Sequence, residues 1–350
     1  MNCCDCPRDA IGRYAFGTYG ADLHRSINPV ANGSDGVPGR TTRKTTVMEI
    51  FEVAPPHGGP SLALHGGAGR RVRLTPDGRA SYEEGLLAAY RAGWEILAAG
   101  GDALDAVCAS VEVLENDPLF NAGRGAALTA TGQAELDASV MTGSGLAGAV
   151  AASKYAPNPV LLARAVMEYT EHVLIVDPDI AFLERYGIEP VERDYFVTEQ
   201  RRQQLDRVAD GRAAAARHGT VGAVARDASG RVAAATSTGG MTGQADGRVG
   251  DSPIVGAGVY ARDDVVAVSC TGDGEAFIRG VVAYDVAARI RYTAADLAEA
   301  VQGTFDQELT ARGATGGLVA VGGDGRIVVA HNSPAMFSAR GTGPEPALTT

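Results

Sequence analysis

His218-Gly219-Thr220-Val221-Gly222 is the stretch on which the reading of this chain turns. Residues 220–225 and 231–235 have the apolar, β-prone character of two strands, and Asp227-Ala228-Ser229-Gly230 between them is a turn, so the region predicts a hairpin that begins at Thr220. A threonine hydroxyl is a poor nucleophile until a base takes its proton. Were the peptide bond before Thr220 broken, the residue's own α-amine, with a pKa of about 7.7–8.0, would be that base. Gly219 leaves room for the Thr220 hydroxyl to attack the preceding carbonyl. Taken alone, Gly-Thr-Val-Gly is an ordinary strand start.

The downstream sequence gives that start a context. Thr236-Ser237-Thr238-Gly239-Gly240-Met241-Thr242 ends the partner strand, and the hairpin brings Thr238 back beside Thr220 as a hydrogen-bond donor. Gly247-Arg248-Val249-Gly250-Asp251-Ser252-Pro253 follows. One arginine and one aspartate in a glycine-rich loop can clamp the carboxylate and ammonium groups of an amino acid, although a salt bridge within a turn is the plainer reading. Ser269-Cys270-Thr271-Gly272-Asp273-Gly274-Glu275 then leaves a strand and opens a helix. Backbone N–H groups there would suit an oxyanion, with Gly272 N–H and the Thr271 hydroxyl as donors. A phosphate loop is the rival reading, but the lysine of such a loop is absent.

Upstream, residues 61–65 form a short apolar strand ending in Gly66-Gly67-Ala68-Gly69. A helix is predicted after it, opened by a capping box of Ser81 and Glu84 and stopped at Gly100-Gly101. Asp102 caps the next helix. Strands are expected near 126–130, 134–141 and 146–152, a helix from Asn158-Pro159, and a buried strand at 172–176. Residues 200–218 carry few large apolar side chains and predict a helical or mobile linker, placed at about 192–219. Strands at 255–260 and 264–270, helices at 274–290 and 294–311, and a hairpin at 317–322 and 326–331 complete the pattern. Hairpins in place of regular βαβ units indicate an α+β protein with two largely antiparallel sheets between helices. Residues 1–60 are polar and turn-rich, and are expected to be a flexible extension with Met48 as an alternative start. The remainder, 61–350, is expected to be a single domain.

Composition narrows the function. The 350 residues are 45% hydrophobic and 21% charged, as in a globular protein, and the net charge of −11 argues against a nucleic-acid surface. The 5 cysteines are too few for a disulfide framework in a chain of this length. Cys108 and Cys270 read as buried thiols. Cys3, Cys4 and Cys6 cluster, but no second ligand pair completes a metal site. No apolar run is long enough to span a membrane and no signal-peptide core is evident, so a cytoplasmic location is expected.

Together the four downstream blocks, with Leu64-His65-Gly66-Gly67-Ala68-Gly69, Asp117-Pro118-Leu119-Phe120-Asn121-Ala122-Gly123-Arg124-Gly125 and Glu135-Leu136-Asp137-Ala138, resemble the plant-type asparaginase and isoaspartyl peptidase family of N-terminal-nucleophile hydrolases. The resemblance runs from about residue 62 to 336. It implies an αββα sandwich that cuts itself between Gly219 and Thr220, giving chains of 61–219 and 220–350 that pair as a dimer of two-chain units. It implies hydrolysis of asparagine and β-aspartyl peptides, with Thr220 as nucleophile, Thr238 as its neighbour, Asn121 nearby, and Thr271 and Gly272 as the oxyanion hole. Substrate contacts would run through Arg248 (carboxylate), Val249, Gly250 and Asp251 (ammonium), and through Thr271, Gly272, Asp273 and Gly274. The loop at 114–124 matches a structural sodium loop, with the carbonyls of Leu114, Glu115, Asp117, Phe120, Ala122 and Arg124 as ligands and no organic cofactor.

The residue before the threonine bears on the branch. Glycosylasparaginases and the threonine aspartase resemble one another in an Asp-Thr pair, and Gly219-Thr220 departs from it. Thr142 replaces a frequent aspartate, and Pro334-Ala335-Met336 lacks a usual glycine, which puts local loop shape in question. A glycosylasparaginase and an uncleaved, non-catalytic scaffold remain as the alternatives.

Overall fold

In the computed structural model, which describes residues 48–55, 58–69, 75–211 and 219–350, the hairpin that starts beside Thr220 lies in the middle of a large sheet. Strand β6 (Val221–Arg226) pairs with β7 (Val232–Thr238), and on its other side with β2 (Ser61–Gly69). Beyond β7 come β3 (Leu136–Thr142), β4 (Ala147–Ser153) and the short β5 (Leu174–Val176). Beyond β2 come β12 (Ala335–Gly341) and β13 (Ala347–Thr349). Only the β4–β5 pairing in this eight-stranded sheet is parallel. A second sheet has five antiparallel strands in the order β1 (Glu49–Val53), β11 (Ile327–His331), β10 (Gly316–Gly322), β9 (Val266–Gly272) and β8 (Val259–Arg262).

Strand alternation sorts the core into three layers. Leu62 and Leu64 of β2, with Ala223 and Ala225 of β6, face helices α1 (Pro76–Ala98) and α2 (Ala103–Asn116), where they meet Leu86, Tyr90, Val107 and Val111. Ala63, Val224, Val232 and Ala234 point the other way and pack against Ala267, Val319, Val321 and Val329 of the second sheet. Helix α3 (Pro159–Tyr169) extends the first helical layer over β3 and β4. On the far side, α6 (Gly274–Gly280), α7 (Val282–Thr293) and α8 (Leu297–Thr304) cover Val268, Cys270, Leu318 and Val328. The result is the four-layer αββα arrangement expected. Each buried leucine or valine contributes about 1.5–3 kcal/mol.

Several expectations are corrected. Strand β1 pairs in register with β11, Glu49 opposite His331, so residues 49–53 belong to the folded domain and not to an extension ending at 60. Helix α1 begins at Pro76 under an N-cap from Thr75, whose side chain accepts from Gly78 N at 3.1 Å; Ser81 sits inside the helix and returns its hydroxyl to Asp77 O. Proline at the first helical turn decides that start. Only an isolated Leu128–Ala134 bridge stands where a strand at 126–130 was expected. The 172–176 strand shrinks to an exposed edge, and a short α4 (Ile180–Arg185) follows it. The 274–290 helix breaks at Val281, which is left-handed (φ 47°) between α6 and α7.

The linker is partly helical. Phe196 is fully buried, and α5 (Glu199–Ala209) buries no residue completely, yet Arg201 donates to Gly125 O (2.5 Å) and Leu119 O (3.4 Å) and fastens the helix to the body. Residues 1–47 with Cys3, Cys4 and Cys6, and residues 212–218, lie outside the described residues. Cys108 and Cys270 are buried and unpaired.

Candidate active site

Thr220 stands one residue before β6, and the β6–β7 register, Val221 opposite Ser237, sets it against Thr238. The two hydroxyls are 3.1 Å apart, Thr220 donating. Thr238 also accepts from Gly240 N at 3.0 Å, so its acceptor side faces both partners and its own proton points elsewhere. Thr220 is 8% exposed, enough to touch the cleft that it lines with Thr238, Gly240, Met241, Arg248, Gly250, Asp251 and Gly272.

Two upstream segments close around the same point. Asn121 donates through Nδ2 to Gly240 O (2.8 Å) and accepts Ala127 N at Oδ1 (2.6 Å), and a Cβ added at Gly219 would overlap its side chain. The end of β2 brings Gly67 against Gly219, where a Cβ would stand 2.7 Å from the Gly219 Cα. His65 lies behind Thr220, with Nδ1 2.9 Å from the Thr220 carbonyl and Nε2 3.0 Å from Ser269 Oγ. Ser269 also meets Thr236 Oγ1 at 2.7 Å. Gly222 leaves the space that this cluster fills.

Arg248 and Asp251 reach the cleft, and they do not pair with each other. The Arg248 guanidinium donates to Glu275 Oε1 (3.0 and 3.1 Å) and to Gln244 Oε1 (3.2 Å). Glu275 is 54% exposed at its side chain, and a pair so open to solvent is worth at most about 1 kcal/mol, so another carboxylate can replace it at little cost. Asp251 is only 4% exposed, and its Oδ2 has no partner. Burial pushes this carboxyl up to about 7, against a smaller lowering by its own backbone N–H and by Arg248. A buried carboxylate oxygen with nothing to accept is an open place for a cation. Gly274 lies between the two groups: a Cβ there would be 2.8 Å from Asp251 Oδ1 and 3.0 Å from Arg248 Nη2.

Other expected residues fall behind the wall. Thr271 is buried, and its hydroxyl accepts from Ala68 N at 3.2 Å, which leaves its own O–H to donate. Asp273 Oδ2 accepts from Thr315 N (3.0 Å) and braces the strand end. Val249 is half-buried and does not line the cleft. Met241, Gln244 and Glu275 carried no assigned role in the sequence reading, and neither did His65. The two outer residues of that set could have been suspected only from their nearness to Arg248, which no local pattern encodes.

In the 114–124 loop, Glu115 O accepts from Arg124 N (2.7 Å) and Asp117 O from Phe120 N (3.2 Å). Pro118 has no N–H, so Leu114 O lacks its helical donor. Among the described residues the carbonyls of Phe120, Ala122 and Arg124 accept no backbone N–H. No group of three His, Cys, Asp or Glu among the described residues could hold a metal ion, so any cation here would rest on carbonyls.

The arrangement can hold an α-amino acid by both charged ends while its side chain faces the Thr220 hydroxyl. Among the described residues no helix is long and apolar enough to cross a membrane. A family model described as asparaginase matches residues 58–348. The chain is similar to the isoaspartyl peptidase of Salmonella typhimurium, 45% identical over 295 residues that cover 80% of this chain and 94% of that one. It is equally similar to the isoaspartyl peptidase of Escherichia coli, 45% identical over 80% of this chain and 92% of that one. The human isoaspartyl peptidase/L-asparaginase is 42% identical over 227 residues, covering 63% of this chain and 73% of that one.

Proposed function

The chain belongs to the asparaginase family whose model it matches, and from that premise we propose that it hydrolyses L-asparagine and β-aspartyl dipeptides through Thr220 after cutting itself before that residue. The observation that carries the reading is the buried Oδ2 of Asp251, unpartnered and on the same cleft as the Thr220 hydroxyl and Arg248.

In self-cleavage, Thr220 Oγ attacks the Gly219 carbonyl, the acyl group passes from nitrogen to oxygen, and water hydrolyses the ester to free the threonine α-amine. In turnover, that amine takes the hydroxyl proton as Oγ attacks the substrate's side-chain carbonyl. Gly272 N–H, on the cleft lining, and the Thr271 O–H, reaching in from just behind it, stabilise the developing oxyanion. The proton passes to the departing ammonia or amino acid, and water then releases aspartate from the threonine ester. Arg248 exchanges Glu275 for the substrate α-carboxylate, and the α-ammonium fills the open side of Asp251.

The scheme needs no organic cofactor. The free carbonyls of Leu114, Phe120, Ala122 and Arg124 support a structural sodium in the 114–124 loop, where Glu115 and Asp117 keep a second lone pair each for it. We place the enzyme in the cytoplasm, paired as a dimer of two-chain units. Exposed Tyr169, Val173 and Val176 are the kind of apolar surface such pairing covers.

The test is a denaturing gel with turnover assays. Wild-type protein should resolve into two chains and release aspartate from asparagine and a β-aspartyl dipeptide faster than from aspartyl-glucosamine. Thr220→Ala should stay a single chain; its separation into two would overturn the scheme.

A further inference from the structure

Glu135 and Asp137 take no part in the chemistry above, yet each holds a backbone amide of the substrate loop. Glu135 Oε2 accepts Gly247 N at 2.7 Å, and Asp137 Oδ2 accepts Gly250 N at 3.2 Å. Glu135 immediately precedes β3 and Asp137 is its second residue, and both carboxylates are turned toward the same loop. Both are buried, 7% and 3% exposed. The residue following each held glycine is a substrate anchor: Arg248 after Gly247, Asp251 after Gly250.

These bonds end a longer seam. Residues 121–137 run beside 239–250 in the same chain direction. Asn121 Nδ2 donates to Gly240 O (2.8 Å), Gly243 N to Leu128 O (2.7 Å) and Ala130 N to Gln244 O (2.8 Å). Thr129 and Thr131 both donate to Asp246 Oδ1, at 2.7 and 2.5 Å. Backbone and hydroxyl partners serve the outer part of the loop; carboxylates serve the part that bears the anchors.

We infer that Glu135 and Asp137 are positioning residues that set the spacing and aim of Arg248 and Asp251, so that recognition of a free α-amino acid end is fixed from β3. The inference rests on the proposed function of the cleft. Oxygen use distinguishes the two residues. Asp137 accepts on both oxygens, Ala152 N at Oδ1 (2.9 Å) and Gly250 N at Oδ2, so an asparagine there would turn an N–H₂ toward an N–H. Glu135 engages the loop through one oxygen, and a glutamine can turn its carbonyl to the same amide.

The test measures self-cleavage and steady-state kinetics on asparagine and a β-aspartyl dipeptide for Asp137→Asn, Glu135→Ala and Glu135→Gln. Asp137→Asn and Glu135→Ala should raise KM about tenfold or more, kcat changing less than about threefold, with precursor cutting at the wild-type rate, since cutting does not use the anchors. Glu135→Gln should restore a near-wild-type KM. A KM unchanged in Asp137→Asn and Glu135→Ala, or cutting and turnover falling together in both, overturns the clamp. Should Asp137→Asn fail to fold, the Glu135 pair decides by itself. Wild-type protein inert toward both substrates overturns the reading of the cleft and the clamp with it, a result distinct from active enzyme with insensitive variants.

Discussion

The imidazole of His65 donates through Nδ1 to the carbonyl oxygen of Thr220 across 2.9 Å. A carbonyl only accepts, so the proton is on Nδ1, and Nε2 takes the Ser269 hydroxyl. Burial lowers the ring's pKa to about 3 and keeps it neutral throughout the working range. His65 therefore holds the first peptide after Thr220. His65→Ala leaves that buried carbonyl unmatched, a loss of about 1–3 kcal/mol, and we expect self-cleavage and kcat to fall roughly tenfold or more. Decay of the precursor band and initial-rate kinetics measure both; wild-type rates would refute the assignment.

Substrate binding should weaken in acid. The Asp251 carboxyl is raised to about 7 and Asp137 to about 6, both chiefly by desolvation. Below those values each is protonated, and a neutral Asp251 cannot hold an ammonium group. KM should rise as pH falls through about 7, while kcat gains as the Thr220 amine loses its proton near about 7.7–8.0. A KM constant from about pH 5.5 to 8.5 would contradict the role given to Asp251.

Glu115 makes stability depend on pH. Its Oε1 accepts from Ser237 Oγ (2.6 Å) and Val160 N (3.0 Å), Oε2 has no partner, and burial raises the carboxyl to about 8. Because the folded value exceeds the unfolded one, the stabilisation is full in acid and is lost as pH climbs through about 8. Glu115→Gln reproduces the neutral shape. Denaturant titrations between about pH 5 and 8 should show a slope shallower than wild type by up to about 1.4 kcal/mol per pH unit; equal slopes would show Glu115 ionised in the folded protein.

Replacing sodium with tetramethylammonium at constant chloride should lower the melting temperature by roughly 2–4 °C, and sodium should restore it. Amide exchange localised to residues 114–124 should follow the same change. Superimposable melting curves in the two salts would remove the cation from the proposal.

Local pattern reached far into this fold where the cause was local. The Asp102 cap, the Asn158-Pro159 helix start and the 227–230 turn are each fixed by residues within a few positions, and the observed elements follow them. The hairpin that sets Thr238 beside Thr220 was legible for the same reason. Strand β1 was not, because its partner His331 stands at the other end of the chain and the polar surroundings of Glu49 mask the pairing. His172 and Val173 looked interior by composition, but both precede β5, where Leu174 and Val176 are exposed. The Glu275–Arg248 pair and the carboxylates under Gly247 and Gly250 depend on where strands pack in space, which spacing along the chain does not encode.

Strand order has a consequence for a chain broken before Thr220. In the eight-stranded sheet β12 and β13 come from the second piece, β2 from the first, β6 and β7 from the second, and β3, β4 and β5 from the first. The fragments would thus be dovetailed, each supplying strands on both sides of the other's, and neither could leave without tearing open the backbone ladder. Covalent continuity at that point would then be dispensable to the finished architecture. Its removal turns an interior position into a chain end in the middle of a sheet, where fraying is suppressed by neighbours on either flank.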